Sequence, residues 1–201
     1  MIHKNPKTEF AENEHFPDID ASAFIHPLAA VIGNVIIGKK VMVSPFASVR
    51  GDEGQPLFVG DESNIQDGVV IHALETDKQT GKNLIEVDNK KYAVYVGKGV
   101  SLAHQSQVHG PASVGDGSFV GMQSLILKTR IGINCVVEPG CTLMSVEVKD
   151  NSYIPAGSVI KSQEDADNLP VITDGYVFKF LNSEVVKVNT ALADGYSKMK
   201  L

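Results

Sequence analysis

Aliphatic side chains that recur every six residues, small or β-branched side chains four places after them, and glycines directly behind many of them predict a mainly β chain. The step of six runs through Ile25, Val31, Ile37, Val43 and Val49, then Val59, Ile65 and Ile71, then from Val96 through Leu102, Val108, Val114 and Val120 to Ile126. After a slip of one residue it resumes at Ile131, Val137 and Leu143, and Ile154 with Ile160 is read as its end. An amphipathic helix would repeat near 3.6 residues, so the pattern excludes one over most of the chain.

The pattern resembles the hexapeptide repeat of the left-handed parallel β-helix, in which three hexads make one triangular coil. The expected order is an N-terminal extension over 1–24, a β-helix over 25–161 interrupted by an extruded loop at 77–95, and a C-terminal helical segment over 162–201. Cys135 and Cys141 take the small inward position of successive hexads and are read as core packing. Two cysteines are too few for a disulfide scaffold and leave the redox compartment open. In "SQEDADNLP", Ser162 is a helix N-cap ahead of acidic residues. From Ser183 to Leu201, Val185, Val188, Leu192 and Tyr196 fall on one helical face, expected against the prism.

A chain of 201 residues, 43% hydrophobic without a long apolar run, reads as one globular domain with no transmembrane span. A formal charge of −6 with scattered Lys and Arg gives no support to a nucleic-acid groove or an anionic membrane surface. The opening "MIHKNPKTEFAENEHFP" has no export signal, so the chain as given reads as cytoplasmic. A signal trimmed from an exported protein would leave the same sequence.

The chemistry gathers around "SLAHQSQVHG". If the residues between Thr76 and Val96 are extruded, the hexads at Ile71, Val96, Leu102 and Val108 are consecutive. His72 and His109 then stand one full coil apart, and stacked strands lie about 4.8 Å apart. The same count puts Arg50 one coil below His72, with Asp52 and Glu53 beside a small bulge. His104 belongs to the preceding face, on the order of 16 Å of chain from His109 at about 3.3 Å per residue. It cannot join its own chain's pair around one ion, but in a threefold trimer it would meet His72 and His109 of a neighbour. His3, His15 and His26 show no such grouping and are read as surface residues.

At these residues the sequence resembles the γ class of carbonic anhydrases, through "NVIIGKKVMVSPFASVRGDEGQPLFVGDESNIQDGVVIHALET", "KKYAVYVGKGVSLAHQSQVHGPASVGDGSFVGMQS" and "YIPAGSVI". The resemblance implies a homotrimer with His72, His104 and His109 as ligands of Zn2+, with Fe2+ or Co2+ as alternatives that imidazole also suits. It implies hydration of carbon dioxide to bicarbonate by hydroxide formed on the metal. Glu53 matches an acidic residue beside the reacting water, in the role of general base, and Glu75 a shuttle that exports the proton. Gln66, Asn64 and Asn182 match side chains that position water and substrate, with turn formation or helix capping the competing reading for Asn64 and Asn182. Arg50 and Asp52 match an ion pair between subunits.

The chain departs from the family pattern in two places. The loop "DKQTGKNLIEVDNKK" is short, and Lys78, Lys82, Lys90 and Lys91 offset its carboxylates; Lys187 stands where the family has a tyrosine. Two other functions compete with hydration. A hexapeptide-repeat acyltransferase would use one histidine as base and need no metal. A non-catalytic metal-stabilised trimer or assembly scaffold would keep the ligands without the proton path.

Overall fold

A computed structural model describes residues 1–77 and 79–199. Lys78 and the last two residues of the C-terminal segment lie outside the described residues. The chain winds as a left-handed parallel β-helix with three faces. The first face stacks eight parallel strands, among them Ser48–Gly51, Val70–His72 and Gln107–His109. The second and third faces hold seven each, the second including Leu57–Val59 and Val94–Val96, the third Asn64–Ile65 and Ser101–Leu102.

The six-residue step follows from a short strand closed by a tight corner. On the third face, from Val43 onward, the residue three places after each inward aliphatic turns the chain with a left-handed backbone, at Phe46, Gly68, Gln105, Gln123, Gly140 and Gly157. The aliphatics stack coil on coil: Val31, Val49, Ile71, Val108, Ile126 and Leu143 are in register on the first face and at most 1% exposed. Burying each contributes about 1.5–3 kcal/mol. The small positions fasten one coil to the next. Ser63 Oγ donates to the Gly97 carbonyl and Ser118 Oγ to that of Gly132, both at 2.8 Å. Cys135 and Cys141 are free, buried and in the same role, donating to Lys149 O and Pro155 O at 3.1 and 3.2 Å.

Every large interruption leaves the prism at one corner, between the first and second faces. One is the bulge between Ser48–Gly51 and Leu57–Val59; another is the long excursion between Val70–His72 and Val94–Val96, which carries a hairpin of Ile85–Val87 with Lys90–Tyr92. The chain is back in the second face by Val94. The N-terminal segment is woven into the coil, Ile2–His3 pairing beside Ala30–Gly33 and Asp18–Ile19 beside Val35–Ile37. It covers backbone groups that an end strand would leave unpaired.

Helix α1, Gln163–Asp167, starts at Ser162, whose Oγ accepts from Asp165 N at 3.1 Å. Helix α2, Leu181–Lys198, runs against the third face. Tyr196 stacks on Phe24 at 5.1 Å, and Leu181 and Val185 pack on Ala103, Phe119 and Val136. Val188 and Leu192 do not close onto the prism. They remain 57% and 43% exposed and line a groove of about 760 Å3 between helix and face.

Candidate metal centre

His72 and His109 are direct partners in the first-face ladder, their rings 5.5 Å apart and nearly perpendicular. Strand pairing puts both imidazoles outward on one side of the pleat, next to the corner from which the bulge and the excursion leave. The bulge delivers Asp52 and Glu53 to the same place. Asp52 Oδ1 lies 3.0 Å and Glu53 Oε1 3.3 Å from His72 Nε2, and Arg50 bridges back through Nη1 to Asp52 Oδ2 at 3.3 Å.

The hydrogen bonding at His72 does not balance. Arg50 Nη2 lies 3.0 Å from the same Nε2 that faces Asp52. One nitrogen cannot accept from a guanidinium and donate to a carboxylate at once. Burial, and next the Arg50 charge, hold the His72 pKa below its usual value, which favours the neutral ring. Glu53 Oε2 is buried without a partner. Burial, reinforced by the Asp52 charge, pushes the Glu53 carboxyl up to about 7. Two imidazoles in register, the His72 ring held neutral, offer nitrogens that suit a divalent cation, whose charge would draw the Glu53 carboxyl pKa down again. His109 Nδ1 faces the Gly110 carbonyl at 3.4 Å, which leaves Nε2 as the lone-pair nitrogen.

His104 stands elsewhere, beyond Ser101–Leu102 at the corner between the third and first faces. Its Nδ1 lies 3.1 Å from Asp67 Oδ2, and both side chains are about half exposed, at 52% and 51%. A carboxylate on Nδ1 fixes the tautomer and leaves Nε2 as the lone-pair nitrogen. Among the described residues no three His, Cys, Asp or Glu side chains of one chain converge as a ligand set.

Gln66 and Asn64 belong to the His104 side. Asn64 is fully buried, donates to Ser101 Oγ at 2.8 Å and accepts from Gln66 Nε2 at 2.9 Å. It holds Gln66, which lines the groove beside His104. Asn182 is not in that groove. Its amide donates to Gly99 O at 2.8 Å and Gly117 O at 2.7 Å, tying α2 to the corner between the second and third faces. Two turns further along the helix, Asn189 lines the groove with Gln66 and His104. Glu75 sits on the excursion, half exposed and paired with Lys82. Lys187 is exposed.

A left-handed β-helix that carries outward histidines on more than one side defines a hexapeptide-repeat protein. No family model matches the chain. It is 54% identical over 201 residues to the carbonic anhydrase of Methanosarcina thermophila, covering 98% of this chain and 81% of that one. It is 40% identical over 191 residues to the carboxysome assembly protein CcmM of a Nostoc species, covering 95% of this chain and only 33% of that longer protein. Among solved structures, a hexapeptide transferase family protein from Anaplasma phagocytophilum matches with a TM-score of 0.69 at 24% identity, over 90% of this chain and 93% of that one. A Bacillus cereus protein matches with 0.73 at 19% identity, over 98% of both, and at these identities the likeness is one of fold alone. The chain belongs to the γ-class carbonic anhydrase family. No described helix is long and apolar enough to cross a membrane.

Proposed function

We propose that the chain interconverts carbon dioxide and bicarbonate at metal sites completed between the subunits of a homotrimer, with His72 and His109 from one chain and His104 from the next. One observation carries the reading: two imidazoles in register beside desolvated carboxylates, and a third, tethered by Asp67, facing out from another side of the same prism. Sequence identity of 54% to a carbonic anhydrase supplies the reaction. Zinc is the expected ion, with iron(II) or cobalt(II) as the other imidazole-compatible choices. The ion's charge, when bound, lowers the pKa of a water so that a nucleophile for CO2 exists near neutral pH.

The chain's own groups do the rest. Asp67 and the Gly110 carbonyl hold the ligand rings in one tautomer. Arg50 fixes Asp52 against His72 and keeps the cluster ordered. Glu53, with Oε2 unpartnered, takes a proton at that atom. Gln66, its amide held by buried Asn64, orients a polar ligand in the groove. Glu75, at the mouth of the excursion, carries the proton outward. Lys82 must release the carboxylate each time Glu75 takes it.

The test is stopped-flow CO2 hydration on protein loaded in turn with zinc, cobalt and, without air, iron(II), with metal measured on the same samples. Hydration proportional to bound metal is expected. Full occupancy without hydration in any form would leave the assembly-scaffold function.

A further inference from the structure

We infer that His15 is a proton-relay residue, taking from Glu75 the proton released in hydration and passing it to buffer. The inference rests on the hydration reading above. A cavity of about 480 Å3 lies between the N-terminal segment, the bulge at Gly54 and the base of the excursion. His15, Glu9 and Glu12 line one side of it, and Glu75, Asp77 and Lys82 the other. It therefore connects the outer end of the Glu75 carboxylate to a single imidazole.

His15 is held there by its backbone. Its N–H donates to Asn5 Oδ1 at 2.7 Å, Asn5 Nδ2 donates to Asn13 O at 3.1 Å, and Asn5 itself is only 2% exposed. The loop between them is cross-tied by Thr8 and Ala11, each N–H donating to the other's carbonyl. The ring is half-buried and makes no hydrogen bond among the described residues. The other two N-terminal histidines are engaged locally, His3 Nδ1 with Lys4 O at 2.7 Å and His26 Nδ1 with Leu28 N at 3.1 Å.

Protonated Glu75 gives its carboxyl proton to an imidazole nitrogen through water in the cavity. Carboxylate and imidazolium result, and the imidazolium hands the proton to a buffer base, restoring both groups. Imidazole is the side chain chemically suited to exchange protons with buffer in the neutral range. The charged residues that line the cavity with His15 are Glu9, Glu12, Glu75, Asp77 and Lys82, the last paired with Glu75. Four carboxylates against one ammonium make the cavity hospitable to a transient cation.

The experiment compares metal-loaded wild type with His15→Gln at low and high buffer. At low buffer kcat should fall about fivefold or more while kcat/KM stays at the wild-type value, because proton export limits only the former. Imidazole should restore kcat. Equal kcat at low buffer, or kcat and kcat/KM falling together without rescue, overturns the relay. Wild type inactive at every buffer concentration refutes the hydration reading itself, and the relay with it.

Discussion

Asn182 is one of the few polar side chains buried under α2, and both of its amide hydrogens are spent on the corner carbonyls of Gly99 and Gly117. Asn182→Ala should lower stability by about 1–3 kcal/mol, read as a lower urea midpoint, because two hydrogen bonds go and two carbonyls lose their partner. Cys135 makes a different prediction. Burial pushes its thiol up to about 11 from an ordinary value near 9. A group that binds its proton more tightly when folded contributes stability that is complete below the unfolded pKa and lost as pH rises through the folded one. Wild type should therefore lose on the order of 2–3 kcal/mol between pH 9 and pH 11 that Cys135→Ser, which has nothing to titrate there, does not lose. Identical pH dependence of the two urea midpoints would contradict this. The same burial makes the thiol a poor target for alkylation in the folded protein.

At the scale of elements, the bulge after Ser48–Gly51 is the piece on which the proposed metal half-site depends, since it brings Glu53 beside His72. Its tightest point is Gly54, with φ of +107°, where a Cβ would stand 2.5 Å from Thr76 Oγ1 and 2.7 Å from the Phe10 carbonyl. Gly54→Ala should cost roughly 2–4 kcal/mol, from left-handed strain plus the clash, and should weaken metal binding because the displaced backbone is the one next to Glu53. Thermal unfolding and metal titration read the two effects, and a variant with wild-type values in both would show the bulge to be compliant. What was legible in the sequence at this scale is what repeats. The step of six gives the three faces, and counting hexads across the excursion pairs His72 with His109. What was not legible depends on contacts outside the repeat. Nothing local in "NPKTEFAENEHFP" says that Asn5 pins His15 over a cavity shared with Glu75, because that arrangement exists only once the excursion and bulge are folded against the segment. The helix likewise looks amphipathic through Val188 and Leu192, yet the prism has no complementary surface there and the groove stays open, with Asn189 rather than Asn182 along it.

At the scale of the whole molecule, the histidines of the proposed shared site lie on different parts of the prism surface, and in the proposed trimer metal binding and assembly are one equilibrium. Stripping the metal removes a ligand specific to the assembled state, worth about 4 kcal/mol when free ion exceeds its Kd a thousandfold. The stripped protein should unfold at a temperature that depends on protein concentration and should dissociate in sedimentation. A mixing experiment isolates the geometry. His72→Ala and His104→Ala each destroy every site in a homotrimer, yet the first variant keeps an intact His104 and the second an intact pair of His72 and His109. Refolded together in equal amounts, an interface is whole when a His104→Ala chain presents its pair to the His104 of a His72→Ala chain. Random assembly places that ordered couple at about one interface in four, one half times one half. Metal content and hydration should both return to about a quarter of wild type on mixing, from near zero in each variant alone. A site built within one chain predicts no recovery, since neither variant contains a complete set, and that outcome would refute the shared centre whatever the activity of the wild type.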